Sequence, residues 1–140
     1  MKKSELYLSL GTNLGNRENN INQALEMLEE AFGHGPERVS DIIGTEAVGF
    51  VGPPFLNCIA VFRTGIRPGE VLRICKRIER KMGRTDSPEY DSAGKRVYHD
   101  RIIDIDILLY GEVVMDTPNL KIPHPQVESR AFIKELLLTL

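Results

Sequence analysis

Apolar residues recur along this chain with two periods, and the switches between them outline the fold. Residues 5–10 (Glu5-Leu6-Tyr7-Leu8-Ser9-Leu10) alternate as a strand does and run into a turn-rich stretch, Gly11-Thr12-Asn13-Leu14-Gly15-Asn16. From residue 18 to 32 the spacing becomes helical, with Ile21, Ala24, Leu25, Leu28 and Phe32 on one face, and Gly33-His34-Gly35-Pro36 ends it. Residues 39–45 predict a second strand, followed by a Gly/Pro-rich loop over 46–54. Residues 55–62 predict a third strand, with Phe55, Asn57, Ile59 and Val61 sharing a face. Pro68 opens a second helix that turns Val71, Leu72, Cys75, Ile78 and Met82 inward and stops at Gly83.

Residues 84–100 are polar and without a clear period, and so predict a long loop, either a functional lid or disordered. Residues 101–110 predict a fourth strand, and residues 111–115 a small hairpin. A Pro-punctuated segment over 118–125 then leads to an amphipathic C-terminal helix. The order β-α-β-β-α-β is that of an α+β, ferredoxin-like domain. Its antiparallel sheet carries helices packed on one face, here with a C-terminal hairpin and helix added. In that arrangement the first and third strands are central and the fourth lies beside the first. Residues 1–140 are expected to form a single domain.

The fourth strand breaks its own pattern. In Arg101-Ile102-Ile103-Asp104-Ile105-Asp106-Ile107-Leu108-Leu109, two carboxylates replace apolar residues on one face. Their Cβ atoms would lie roughly 6.5–7 Å apart, two residue rises along a strand. Like charges that close raise each other's pKa unless a cation lies between them. Hard divalent ions such as Mg²⁺ are often held by one or two carboxylates plus substrate phosphates. An exposed edge strand with solvated carboxylates, or an ion pair with Arg101, fits the strand equally well.

Bulk properties narrow the classes. The formal net charge is −2, so no global attraction to nucleic acid or anionic membranes is expected, and any anion site must be built locally. No apolar run is long enough to span a membrane, and the N-terminus lacks the apolar core of a secretory leader, so a cytoplasmic location is expected. Cys58 and Cys75 lack zinc-site spacing and predict small buried apolar residues of a reduced protein. The Walker A and protein-kinase signatures are absent.

Other residues converge on the same sheet region. Asn57 is unusual within an apolar strand; its amide suits the edge of a nitrogen heterocycle or a neighbouring backbone group. Phe55, on the same face, could stack on such a ring or belong to the core. Arg84, Lys95, Arg96 and Arg101 flank or lie in the long loop, as a lid over a polyphosphate or as a solvated loop. His124 is held between two prolines and can donate to phosphate, with Arg130 and Phe132 following.

In order along the chain, Gly11-Thr12-Asn13-Leu14, Thr45, Phe55-Leu56-Asn57, Arg77-Ile78-Glu79 and Gly83-Arg84 form one set of motifs. Arg101-x-x-Asp104-Ile-Asp106-Ile-Leu, Leu120-x-Ile-Pro123-His124 and Arg130-x-Phe132 complete it. In this set the chain resembles the 6-hydroxymethyl-7,8-dihydropterin pyrophosphokinases of folate biosynthesis. The resemblance implies transfer of pyrophosphate from the co-substrate ATP to the hydroxymethyl group of the pterin, with AMP leaving. It implies two Mg²⁺ ions on Asp104 and Asp106, with Arg84 and Arg101 as catalytic arginines near the phosphates. It implies a pterin site of Thr45, Val48, Phe55, Asn57 and Phe132. Arg84, Arg101, Ile107, Lys121, His124 and Arg130 are implied on the ATP side. A monomer acting on these two small molecules is expected. The family's acidic residue matches Glu79, to which the sequence assigns no role.

Overall fold

The computed structural model describes residues 2–46, 52–83, 89–90, 92–93, 96–97 and 102–140. Its sheet is built from β1 (Ser4–Thr12), β2 (Arg38–Val39), β3 (Ile43–Thr45), β4 (Phe55–Thr64) and β7 (Asp104–Tyr110). The strand order is β2-β4-β1-β7, with β3 also pairing β4 and every pairing antiparallel. The central neighbours are thus the expected first and third strands, with the Asp-bearing strand at the edge beside β1. Helices α1 (Arg17–Phe32) and α2 (Pro68–Lys81) connect them.

Alternation sends Leu6, Leu8 and Leu10 of β1 and Cys58, Ala60 and Phe62 of β4 to one face. Ile105 and Ile107 of β7 join them, and there they meet Ile21, Ala24 and Leu28 of α1 and Val71, Cys75 and Ile78 of α2. Each fully buried aliphatic side chain contributes about 1.5–3 kcal/mol. Both cysteines are buried thiols, and burial pushes the Cys58 thiol up to about 12. The helix ends follow local chemistry. The Asn16 side chain accepts from the Asn19 N–H at the start of α1, and Gly33 takes a left-handed φ of 84° at its end.

Four elements differ from the sequence expectation. The second strand is split. Val39 pairs with Ala60 and Ile43 with Asn57, so its edge carries one residue more than β4. Ser40 bridges the gap: its Oγ accepts from the Ile59 N–H at 2.7 Å, while its own N–H donates to the Ile59 carbonyl. That hydroxyl competes with the ladder, and no apolar pattern reveals it. Within the segment expected to be a loop, β5 (Glu89–Tyr90) and β6 (Arg96–Val97) pair. The hairpin lies later than expected, joining β8 (Met115–Asp116) to β9 (Lys121–Ile122). The C-terminal helix is two pieces, α3 (Gln126–Ser129) and α4 (Ala131–Leu137).

Among the described elements, α4 covers only part of the second face of the sheet. Ile133 and Leu136 of α4 pack there against Ile59 and Leu108. Leu108 is an extra residue in β7: Leu8 pairs with Ile107 but Tyr7 with Leu109. This bulge places both Leu108 and Leu109 against α4 and returns Tyr110 to the helix side. There the Tyr110 hydroxyl donates to the Thr64 carbonyl at 3.0 Å.

Candidate active site

The half of the second face that no described element covers is organised by strand register. Asn57 of β4, Gly11 of β1 and Asp104 of β7 stand opposite one another in one row, with Ser9 opposite both Ile59 and Asp106 in the next. Adjacent strands lie about 4.8 Å apart, so roughly 10 Å of backbone separates Asn57 from Asp104. Gly11 forms the floor between them. A Cβ there would come within 2.9 Å of Asn57 Oδ1 and 3.7 Å of the Phe55 ring. Its lack of a side chain keeps a shallow slot open beside the amide.

Asn57 is held rather than loose. It is 9% exposed, and its Nδ2 donates to Thr45 Oγ1 at 2.7 Å. Thr45 itself pairs with Phe55 across β3 and β4, so the three residues form one corner of the slot. Of the two readings open to Asn57, its amide nitrogen takes a side-chain partner and its Oδ1 lies toward the Gly11 floor.

The turn after β1 closes another side. Thr12 and Asn13 are buried, and Asn13 Nδ2 donates to the Pro53 carbonyl at 3.0 Å. Arg17 donates to the Pro54 carbonyl, while Asn20 donates to Thr12 Oγ1 and to the Leu14 carbonyl. The sequence marks Thr12 and Asn13 only as turn residues. Their burial depends on a proline segment some 40 positions away, which local pattern does not encode.

Asp104 and Asp106 point to this face and are half-exposed, whereas Ile105 and Ile107 are buried beneath the helices. Two half-exposed carboxylates on one strand face suit a hard divalent cation, whose remaining ligands would be water and phosphate oxygens. Among the described residues there is no group of three or more His, Cys, Asp or Glu that could hold a metal.

His124 reaches the same edge. Its N–H donates to the Leu108 carbonyl at 2.9 Å, just after the cis Ile122–Pro123 peptide. Nδ1 accepts from the Gln126 N–H at 3.1 Å, so the neutral ring carries its proton on Nε2. Burial lowers the His124 pKa, and the Asp104 charge opposes that shift. Phe132 is half-buried against the Ile59, Leu108, Ile133 and Leu136 cluster, with the Arg130 guanidinium 5.0 Å from its ring centroid.

The remaining site expectations divide. The Ile107 side chain is 3% exposed in the helix-side core, so it cannot touch a ligand on the second face, and only its backbone could. Lys121 is exposed on β9 with Nζ 3.9 Å from Asp116. Val48, Arg84, Lys95 and Arg101 lie outside the described residues, as does the side chain of Arg96.

Glu79 is the residue whose role the sequence left blank. It is fully buried on α2, and its Oε2 accepts from the Ile105 N–H at 2.8 Å. A glutamate at an inward-facing helix position was the available signal, but its partner is an amide on a distant strand.

Comparison with known proteins shows the family. The family model described as 7,8-dihydro-6-hydroxymethylpterin-pyrophosphokinase matches residues 7–140. A Porphyromonas gingivalis protein named 2-amino-4-hydroxy-6-hydroxymethyldihydropteridine pyrophosphokinase is 42% identical over 131 residues, covering 92% of this chain and 85% of its own length. Proteins of the same name from Aquifex aeolicus and Bacillus subtilis are 37% and 32% identical, over 95% and 91% of this chain and 78% and 72% of their own lengths. With its match running from the first strand to the last residue, the chain belongs to the 7,8-dihydro-6-hydroxymethylpterin-pyrophosphokinase family.

Proposed function

We propose that this chain transfers the terminal pyrophosphoryl group of ATP to the hydroxymethyl oxygen of 6-hydroxymethyl-7,8-dihydropterin, a step of folate biosynthesis. The pterin oxygen attacks the β-phosphorus, the bond from that phosphorus to the α–β bridging oxygen breaks, and AMP carries the bridging oxygen away. The hydroxyl proton passes to water. The observation that carries this reading is the row Asn57, Gly11 and Asp104, with Asp106 beside it. It sets a heterocycle-reading amide and a carboxylate pair on one open half-face.

In this reading Asn57, held by Thr45, takes the polar edge of the pterin over the Gly11 floor, with Val48 contributing backbone. Phe55 and Phe132 bracket the ring. Asp104 and Asp106 hold two Mg²⁺ ions, which when bound neutralise phosphate charge and acidify the pterin hydroxyl. His124 donates from Nε2 to a phosphate oxygen, and Arg84, Arg101, Lys121 and Arg130 supply positive charge on the nucleotide side. Ile107 contributes through its backbone. Positioning and charge neutralisation then do most of the catalytic work, without a general base from the chain. The reading is completed by a single-domain monomer in a cytoplasmic setting, the latter supported by two buried thiols.

The test is direct. Purified protein with ATP, Mg²⁺ and the reduced pterin should release AMP and pterin pyrophosphate in equal amounts, read by chromatography. Absence of AMP under those conditions would overturn the reading.

A further inference from the structure

We infer that Glu79 is a positioning residue for the carboxylate pair, holding from behind the N–H of Ile105, the residue between Asp104 and Asp106. The inference rests on the proposed role of those aspartates as cation ligands.

Among the described residues β7 is an edge strand, and alternate N–H groups of an antiparallel edge point away from β1, its neighbour there. The Ile105 N–H is such a group, yet Ile105 is 3% exposed, so water does not satisfy it. Glu79 does, at 2.8 Å, through an ionisable oxygen on a residue with no exposed surface. This hydrogen bond pins the backbone between the aspartates to α2, behind the strand face that carries them. The buried Cys75 thiol lies near both groups: burial pushes it up first, then Glu79 and Asp106, with Lys76 opposing. Lys76 Nζ lies 3.5 Å from Glu79 Oε1.

Two variants separate the hydrogen bond from side-chain bulk. Glu79→Met removes the acceptor at similar size, while Glu79→Gln keeps an acceptor oxygen. Hydrogen exchange at the Ile105 amide is measured by NMR in metal-free protein. Mn²⁺ affinity is measured by electron paramagnetic resonance with a non-hydrolysable ATP analogue. In Glu79→Met, Ile105 should exchange at least about tenfold faster. Its Mn²⁺ affinity should fall about 10- to 100-fold, the usual effect of losing a partner behind a metal ligand. In Glu79→Gln both the protection and the Mn²⁺ affinity should return toward the parent's. Should Glu79→Met fail to fold, the near-isosteric Gln variant still decides: parental affinity with Ile105 unprotected, or lost affinity with Ile105 still protected, overturns the inference. Asp104→Ala is the reference. Loss of Mn²⁺ affinity there but in neither Glu79 variant overturns the inference alone. No loss in any of the three overturns the cation reading of the aspartates and this inference with it.

Discussion

The two halves of the sheet's second face are made by the same strands, yet one is a core and the other is the candidate site. On one half Ile59 and Leu108 are sealed by Ile133 and Leu136, all without exposed surface. On the other, Ser9, Asp104 and Asp106 remain half-exposed around Gly11. Strand alternation is common to both, and what differs is the cover. A short C-terminal helix finishes the hydrophobic work over part of the face, which leaves the rest for polar residues that no core would tolerate. Stability and chemistry are thus placed side by side, on opposite ends of β1, β4 and β7.

That division can be broken by substitution. The largest effect is expected from Asp104→Ala or Asp106→Ala, which should lower turnover by about 100-fold or more. Their melting temperatures should stay near the parent's, because both side chains are half-exposed; a large loss of stability would contradict the division. Next, Leu136→Ala should destabilise the fold by about 2–5 kcal/mol, read by urea denaturation. Its AMP release per folded molecule should hold, and a selective loss of activity would mean that the sealed half also serves the site.

Gly11→Ala sharpens the comparison from the floor of the slot. The new Cβ would displace Asn57 Oδ1 from 2.9 Å and strain the bond to Thr45, costing about 1–3 kcal/mol. The pterin KM should rise more than the ATP KM in steady-state kinetics, and equal effects on both would argue against a pterin floor.

The smallest effect concerns acid. The His124 pKa is lowered in the fold from its ordinary 6.5, so the unfolded chain binds the proton more readily. His124 should therefore subtract stability as pH falls below 6.5 toward its folded value, and the loss should level off beneath it. Denaturation midpoints of the parent and of His124→Gln should converge across that window, and parallel curves would count against the shift.

Much of this was legible in the sequence because its signals are local. The two apolar periods mark β1, α1, β4 and α2, and the strand carrying Asp104 and Asp106 declares itself by placing carboxylates among isoleucines. Asn57 stands out in the same way. What was not legible depends on distant partners. The split at Ser40 needs Ile59, the locked turn at Asn13 needs Pro53, and the task of Glu79 needs the Ile105 amide. Ile107 shows the converse: the resemblance implies a nucleotide contact, but alternation sends its side chain into the helix-side core.

The bulge at Leu108 has a consequence for how the chain tolerates change. Were β7 regular, the face carrying Asp104 and Asp106 would also receive Tyr110, and the helix-side core would lose its largest buried ring. The extra residue acts as a phase shifter within one strand. A one-position slip of β7 along β1 would turn both carboxylates toward the helices and their leucines, so misregistered pairing is heavily penalised. For the same reason a single-residue deletion at 108 should be far more damaging than any substitution there. It would force the strand to choose between its acidic end and its aromatic one.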